Sequence, residues 1–134
     1  MHESRATRRV LLVDDEAHIL HVVALKLRAA GFDVHTASDG EEGLQAAREL
    51  HPDLIVTDYQ MPFMTGLELA QQLRAETPLD RTPILMLTAR GFSISRDQLA
   101  ATNVQAILSK PFSPREVLAK VQELTASAAA AGAS

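Results

Sequence analysis

The chain has 134 residues, of which 46% are hydrophobic and 22% charged, with a formal net charge of -4 and no cysteine. These values describe one globular domain with a real core, and they exclude a disulfide framework, a thiolate metal site and nucleic-acid binding through bulk positive charge. No apolar run approaches the roughly 20 residues of a membrane helix, and the amino end is not a signal peptide, so we expect a cytoplasmic protein without membrane insertion.

Five short apolar runs alternate with five amphipathic segments along the chain. Polar residues 1–7 lack periodicity and predict a disordered arm, followed by one domain over 8–125 and a flexible Ala-rich tail over 126–134. The predicted strands cover 10–13, 32–37, 54–58, 83–87 and 104–109. Such alternation predicts an α/β fold, in which a five-stranded parallel sheet has helices on both faces.

Turn and capping residues mark the predicted helices. Gly31 is typical of a left-handed helix end, and Asp39 followed by Glu42 has capping-box spacing, as does Ser113 followed by Glu116. The segment 90–102 has little apolar face, which predicts a loosely held helix. Asn103 is expected to take a left-handed turn after it.

Polar side chains follow four of the predicted strands. Asp14 and Asp15 come after the first strand, Asp58 ends the third, Thr88 follows the fourth and Lys110 follows the fifth. Because parallel sheets deliver their chemistry at the carboxyl ends of their strands, these groups are expected to meet at one edge. Taken singly, each has an ordinary explanation as a helix-terminal charge, a turn former or a solvated lysine.

Three carboxylates that lie close together repel one another unless a divalent cation lies among them, and oxygen ligands suit Mg²⁺ or Mn²⁺. A cation of this kind draws in a phosphate, with Thr88 as a hydrogen-bond donor and Lys110 as a point charge. The remaining role is that of the nucleophile, for which Asp58 is the candidate because it ends the central strand alone.

The chain resembles the receiver domains of two-component response regulators from about Arg8 to Leu124. The motifs that carry the resemblance stand in the family's order and approximate spacing. They are Asp14-Asp15, Asp58 with Met61-Pro62 and Gly66, Thr88-Ala89, and Lys110-Pro111-Phe112. The resemblance implies a doubly wound (βα)5 fold with the flavodoxin-like strand order 2-1-3-4-5.

The resemblance also implies a role for each site residue. Asp58 would accept a phosphoryl group from a sensor histidine kinase or a histidine phosphotransfer protein. Mg²⁺ would be bound by Asp15, Asp58 and the backbone carbonyl of Gln60, with Asp14 acting through water. Thr88 would swing toward the phosphoryl group and Lys110 would bridge to it. A cis peptide bond is expected between Lys110 and Pro111.

Phosphorylation would then shift an equilibrium between two states of the surface formed by the fourth helix, the fifth strand and the fifth helix. This surface would contact an unidentified downstream protein. The chain would be a signalling switch that catalyses only its own phosphoryl transfer and slow autodephosphorylation. We expect a monomer or a weak homodimer that does not bind nucleic acid directly.

Three features depart from the family pattern or modify it. Ile107 stands where the family usually has a tyrosine or phenylalanine that takes part in the switch, and Asn103-Val104 replaces Gly-Ala before the fifth strand. Gln60 and Arg90, each two residues past a site residue, would tune hydrolysis of the phosphoryl group.

Other interpretations of the same pattern stay open. The chain could be a receiver from a larger regulator or hybrid kinase, or a docking module that needs no phosphate. A nucleotide-binding protein would show a glycine-rich first loop, but the loop here is Asp14-Asp15-Glu16. A dehalogenase-type phosphatase would carry Asp-x-Asp after its first strand, and its turnover of phosphomonoesters would distinguish it.

Overall fold

The computed structural model describes residues 7–89 and 94–133, with side chains described through residue 126. The strands are β1 (Arg9–Val13), β2 (Asp33–Ala37), β3 (Leu54–Asp58), β4 (Ile84–Thr88) and β5 (Val104–Ser109). The helices are α1 (Ala17–Ala29), α2 (Gly40–Leu50), α3 (Gly66–Arg74), α4 (Arg96–Ala100) and α5 (Pro114–Ala133), with a 3₁₀ turn at Leu79–Arg81. The predicted alternation is confirmed.

The five strands form one parallel sheet in the order β2-β1-β3-β4-β5, as the resemblance implied. Alternate residues of each strand point to opposite faces, so each central strand feeds two cores. Val10 and Leu12 pack with α1 and α5, whereas Leu11 and Val13 pack with α2 and α3. Burial on both faces explains why β1, β3 and β4 are continuous apolar runs in the sequence.

The helix ends follow the predicted chemistry in most places. Gly31 has a φ of +99°, which is the left-handed conformation expected after α1. Ser113 and Glu116 form the predicted reciprocal cap at the start of α5. The reciprocal cap predicted at α2 is wrong in one half: Asp39 accepts from the Glu42 amide, but the Glu42 carboxylate accepts from the amide of Ser38.

The expectation for Asn103 is wrong. Among the described residues, the non-glycine positions with positive φ are His51 and Phe63. Asn103 is buried; its side chain accepts a hydrogen bond from Arg74 at 2.7 Å and donates to the carbonyl oxygen of Asp80. These bonds tie α3 and the 3₁₀ turn to the start of β5, which a glycine could not do.

The remaining differences concern α4 and the carboxyl end. The described part of the predicted 90–102 helix is helical only over Arg96–Ala100, and this short helix buries none of its residues. The tail predicted from residue 126 is helical through Ala133, because alanine is the best helix former and α5 continues into it. Residues 1–6 of the predicted arm lie outside the described residues. Within the described part of the chain, no helix is long and apolar enough to cross a membrane.

Candidate functional site: an acidic cleft at the carboxyl edge of the sheet

Three carboxylates meet where β1 and β3 end side by side. Asp14 and Asp15 follow β1, Asp58 is the last residue of β3, and one oxygen from each lies within 4.8 Å of the others. Asp14 and Asp58 are buried, whereas Asp15 is exposed. The cluster therefore has an inner part, from which water is excluded, and an outer part that faces solvent.

Asp14 is held in place by the backbone on both sides. Its amide donates to the carbonyl oxygen of Ala37 at 3.1 Å, and its Oδ1 accepts from the Glu16 amide at 2.8 Å. Burial raises the pKa of the Asp14 carboxyl to about 6, since the hydrogen bond from Glu16 only partly offsets desolvation and the charge of Asp58 adds to it. Its Oδ2 is buried and has no hydrogen-bond partner among the described residues.

Asp58 lies against a cation. Its Oδ1 is 3.6 Å from the ammonium nitrogen of Lys110. The peptide bond between Lys110 and Pro111 is cis, as expected. Burial raises the pKa of the Asp58 carboxyl, Lys110 opposes that rise, and the charge of Asp15 adds to it. The group is thus a desolvated carboxylate kept close to one positive charge.

The Lys110 ammonium group also contacts a second carboxylate, and the sequence did not indicate this contact. Nζ lies 3.3 Å from Oε1 of Glu16, which is nearer than the carboxylate of Asp58. Burial acts against the charged form of Lys110, but Asp58 and Glu16 outweigh it and raise the pKa of this lysine. The contact joins positions 94 residues apart. No local pattern could have indicated it.

Thr88 ends β4 beside the cleft, and its backbone is fixed by the Lys110 amide, which donates to the Thr88 carbonyl oxygen at 2.8 Å. The side chain is buried, yet Oγ1 has no hydrogen-bond partner within the described part of the protein. A buried hydroxyl without a partner is costly and uncommon. This hydroxyl and the second oxygen of Asp14 are the two described side-chain atoms in that condition, and their residues stand at the carboxyl ends of β4 and β1.

The loop after β3 returns close to the site. The Gly66 amide donates to the Tyr59 carbonyl oxygen at 2.8 Å, which closes the loop between β3 and α3. A Cβ on Gly66 would lie 2.3 Å from the backbone oxygen of Asp58, so only glycine fits here. Within this loop Met61 is buried, while the side chain of Gln60, two positions after Asp58, is exposed.

The predicted switch and tuning residues are less closely grouped. Ile107 lies on β5, the edge strand, with 37% of its surface exposed. The predicted tuning residue Arg90 lies outside the described residues. The structure thus brings together Asp14, Asp15, Asp58 and Lys110 and places Thr88 at the end of the adjoining strand.

This arrangement suits a hard divalent cation. The orphaned Asp14 oxygen and the mutual repulsion of three carboxylates both fit an oxygen-ligated metal such as Mg²⁺. The cleft also combines a nucleophile-type carboxylate and an ammonium group, and Thr88 at the end of the adjoining strand carries an unused hydroxyl donor. Groups of these kinds serve phosphoryl transfer.

Comparison with known proteins agrees with the resemblance to receiver domains that the sequence motifs indicated. The sequence model of the family described as "Response regulator receiver domain" matches residues 10–122. The alkaline phosphatase synthesis transcriptional regulatory protein PhoP of Bacillus subtilis is 41% identical over 117 residues, which are 87% of this chain and 48% of PhoP. This chain thus spans about half the length of that relative.

Two solved structures are similar throughout. The chemotaxis response regulator CheY4 of Vibrio cholerae superposes with a TM-score of 0.81 at 36% identity, covering 89% of this chain and 99% of CheY4. The receiver domain of the sensor histidine kinase PA1611 from Pseudomonas aeruginosa, solved with magnesium in its active-site cleft, gives 0.79 at 27% identity, with 90% and 99% covered. On its sequence and its fold, this chain belongs to the response regulator receiver domains of two-component signalling.

Proposed function

We propose that Asp58 is the phosphoacceptor of this receiver and takes a phosphoryl group from a phosphohistidine of a sensor histidine kinase or a histidine phosphotransfer protein. The observation that carries the proposal is the position of Asp58, buried at the end of the central strand and 3.6 Å from the Lys110 ammonium. A carboxylate oxygen would form the new bond to phosphorus as the bond to the histidine nitrogen breaks, and the imidazole would leave as the neutral base after protonation.

The acidic cluster is the proposed metal site. Asp15, Asp58 and the backbone carbonyl of Gln60 would bind Mg²⁺ directly, and Asp14 would hold coordinated water through its unpartnered Oδ2. When bound, the cation neutralises negative charge on the phosphoryl oxygens. Mn²⁺ has the same ligand preference and is expected to substitute.

Thr88 and Lys110 would bind the phosphoryl oxygens once Asp58 is modified. The Thr88 hydroxyl has no hydrogen-bond partner to give up among the described residues, so it is free to turn toward a new acceptor. Lys110 would exchange the carboxylate of Asp58 for a phosphoryl oxygen. These movements would be transmitted to the surface of α4, β5 and α5, where Ile107 takes the position of the family's aromatic switch residue.

Receiver domains are signalling switches and not turnover enzymes. The catalysis we propose for this chain is limited to its own phosphorylation and slow dephosphorylation. Gln60 and Arg90, which follow Asp58 and Thr88 by two positions in the sequence, are the residues proposed to set the second rate. The output is proposed to be a protein contact. Because PhoP is about twice as long and PA1611 is a sensor histidine kinase, the same chemistry would also serve a receiver within a larger protein.

The test is incubation with acetyl phosphate and Mg²⁺, followed by intact-mass measurement. We expect the mass of one phosphoryl group to be added, and we expect the gain to disappear with EDTA and in the Asp58→Asn variant. A folded protein that gains nothing from acetyl phosphate or from any phosphorylated histidine kinase would contradict the proposal. Binding of an output partner without phosphorylation would then favour a docking module.

A further inference from the structure

Phe63 is the most exposed large apolar residue that the structure describes. Its relative exposure is 103%, compared with 53% for Leu25 and 37% for Ile107. It stands in the loop between β3 and α3, five positions after Asp58. A whole aromatic ring in water is unfavourable, although a single exposed apolar residue is common enough to need no explanation by itself.

The backbone at Phe63 is also unfavourable for this residue type. Its φ is +70°, in the left-handed region that glycine and asparagine occupy readily and bulky side chains avoid. The other described non-glycine residue with positive φ, His51, has the ordinary task of ending α2. Both hydration and backbone preference therefore disfavour phenylalanine here. Such a residue is explained if the ring makes a favourable contact when a partner is bound.

The ring borders a depression that carries negative charge. Met64 packs so tightly over the start of α2 that a Cβ on Gly40 would lie 2.8 Å from that of Met64, and this contact brings the loop beside α2. The depression has a volume of about 290 Å³ and is lined by Asp39, Glu41, Pro62, Phe63 and Met64. Asp39 is half-buried and caps α2, while Glu41 is exposed.

We infer that Phe63 and this depression, here called the Phe63 cup, bind the protein that donates the phosphoryl group. The inference rests on the proposed function. Asp58 is only 3% exposed, so a phosphohistidine reaches it only if the donor protein covers the loops around the cleft. The loop that carries Phe63 is one of these, because its base is fixed next to Asp58 by the bond between Gly66 and Tyr59.

Charge defines the chemistry of the donor's contact. A cup with an aromatic wall and two carboxylates is complementary to an apolar side chain flanked by lysine or arginine, and a cation above the aromatic face adds a further attraction. The donor is therefore expected to place a basic residue beside its phosphohistidine-bearing surface. A small donor such as acetyl phosphate has no such group and does not use the cup.

This difference between donors supplies the experiment. In the Phe63→Asn variant the ring is removed and the residue suits a positive φ, so the domain stays folded. A panel of purified, autophosphorylated histidine kinases is tested, each mixed with the native chain. The kinase that transfers its phosphoryl group fastest is then used with the variant. We expect kinase-to-receiver transfer to slow about tenfold, the size typical of a buried aromatic contact, while phosphorylation by acetyl phosphate changes less than about twofold.

A matched pair of charge variants tests the second half of the inference. Glu41→Gln removes a carboxylate from the cup, and Glu49→Gln removes one from the same helix about 12 Å further along. We expect kinase transfer to slow about threefold for Glu41→Gln and to stay unchanged for Glu49→Gln, with the difference shrinking at high salt.

The outcomes separate the inference from the proposed function. Equal kinase transfer to the native chain and Phe63→Asn, with acetyl phosphate active on both, would overturn the cup and leave the phosphoacceptor intact. If acetyl phosphate and every kinase fail on the native chain, the proposed function fails. If acetyl phosphate works but no kinase transfers, the assignment of a kinase donor and the cup both fail.

Discussion

Gly66 approaches Asp58 so closely that a Cβ at position 66 would lie 2.3 Å from the Asp58 backbone oxygen. The atom it would meet is backbone, so neither a rotamer change nor a flexible side chain can relieve the contact. The first residue of α3 and the last residue of β3 are thus packed directly together, and the site geometry depends on an absent side chain.

We predict that Gly66→Ala displaces the loop or the strand end. The free energy of unfolding should fall by about 1–3 kcal/mol, as for other overpacked positions. The rate of phosphorylation by acetyl phosphate should fall at least about tenfold, because small displacements of reacting groups are costly. Chemical denaturation and intact-mass kinetics measure the two effects.

Gly31→Ala is the matched control. Gly31 has positive φ, but no atom lies within 4 Å of the point that a Cβ would occupy, so alanine there introduces backbone strain without a clash. We expect lower stability with an unchanged phosphorylation rate. A normal rate in Gly66→Ala as well would show that the close approach does not position Asp58.

Asp14 gives the metal-free protein a specific pH dependence. Burial raises the pKa of this carboxyl from its ordinary value of 3.8 to about 6, so the folded state binds a proton more tightly than the unfolded state. The contribution of Asp14 to stability is therefore fully present below about pH 4 and is lost as the pH rises to about 6. Above that window its ionised form costs about 3 kcal/mol.

The prediction concerns Asp14→Asn in EDTA. The asparagine oxygen still accepts from the Glu16 amide, but the buried charge is gone. At pH 7.5 the variant should unfold with a higher free energy than the native chain, by up to about 3 kcal/mol, and the two should converge at pH 4. Asp97→Asn, at an exposed position of α4, should match the native chain at both pH values. A difference for Asp14→Asn that is the same at both would contradict the assignment.

The carboxyl edge of the sheet was predictable because its causes are periodic or local. Apolar runs defined the strands, and their alternation with helices indicated a parallel sheet. The resemblance to receiver domains supplied the strand order, which puts Asp58 and Thr88 at the ends of adjacent strands. The hydroxyl of Thr88 and Oδ2 of Asp14 could be named as site groups but not recognised as unpartnered. That property depends on packing from every side.

What the sequence did not reveal depends on contacts between distant residues. Glu16 looks like a helix-terminal charge, yet its carboxylate makes no capping hydrogen bond and pairs with Lys110 instead. Asn103 looks like a turn residue, yet it is held by Arg74 from α3, 29 positions earlier. In both cases a tertiary partner outweighs a local preference.

The Lys110 ammonium group lies between the carboxylates of Asp58 and Glu16. Removing the lysine and removing Glu16 should therefore shift the pKa of Asp58 in opposite directions. Lys110→Met removes the cation that opposes the rise, and the pKa of Asp58 should increase further. Glu16→Gln removes a negative charge and leaves Lys110 to Asp58 alone, so the same pKa should decrease.

Carbon-13 NMR of the Asp58 carboxyl in metal-free protein measures both shifts. Lys120→Met is the control, because Lys120 pairs with Glu123 on the exposed side of α5 and its removal should leave Asp58 unchanged. Shifts of the same sign in Lys110→Met and Glu16→Gln would show that the two carboxylates do not compete for the ammonium group.

Thr88 and Thr57 are buried threonines on neighbouring strands that differ in one respect. The Thr57 hydroxyl donates to the Asp58 carbonyl oxygen at 3.0 Å, whereas the Thr88 hydroxyl has no partner among the residues described. Valine has nearly the same shape as threonine without the hydroxyl. Thr57→Val should therefore lower the free energy of unfolding by about 1 kcal/mol, and Thr88→Val should raise it by a similar amount.

The effect on binding of the phosphoryl group should run the other way: Thr88→Val should weaken it and Thr57→Val should not. If Thr88 is a donor to the phosphoryl group, Thr88→Val loses part of the thermal stabilisation that beryllofluoride and Mg²⁺, as a stand-in for the phosphoryl group, give the native chain. A loss of about 1.5 kcal/mol corresponds to one hydrogen bond to a charged acceptor and lowers the melting temperature of the complex by several degrees. Thr57→Val should keep the full shift. A Thr88→Val variant that is both more stable and equally stabilised by beryllofluoride would remove Thr88 from the switch, because its hydroxyl would then serve neither state.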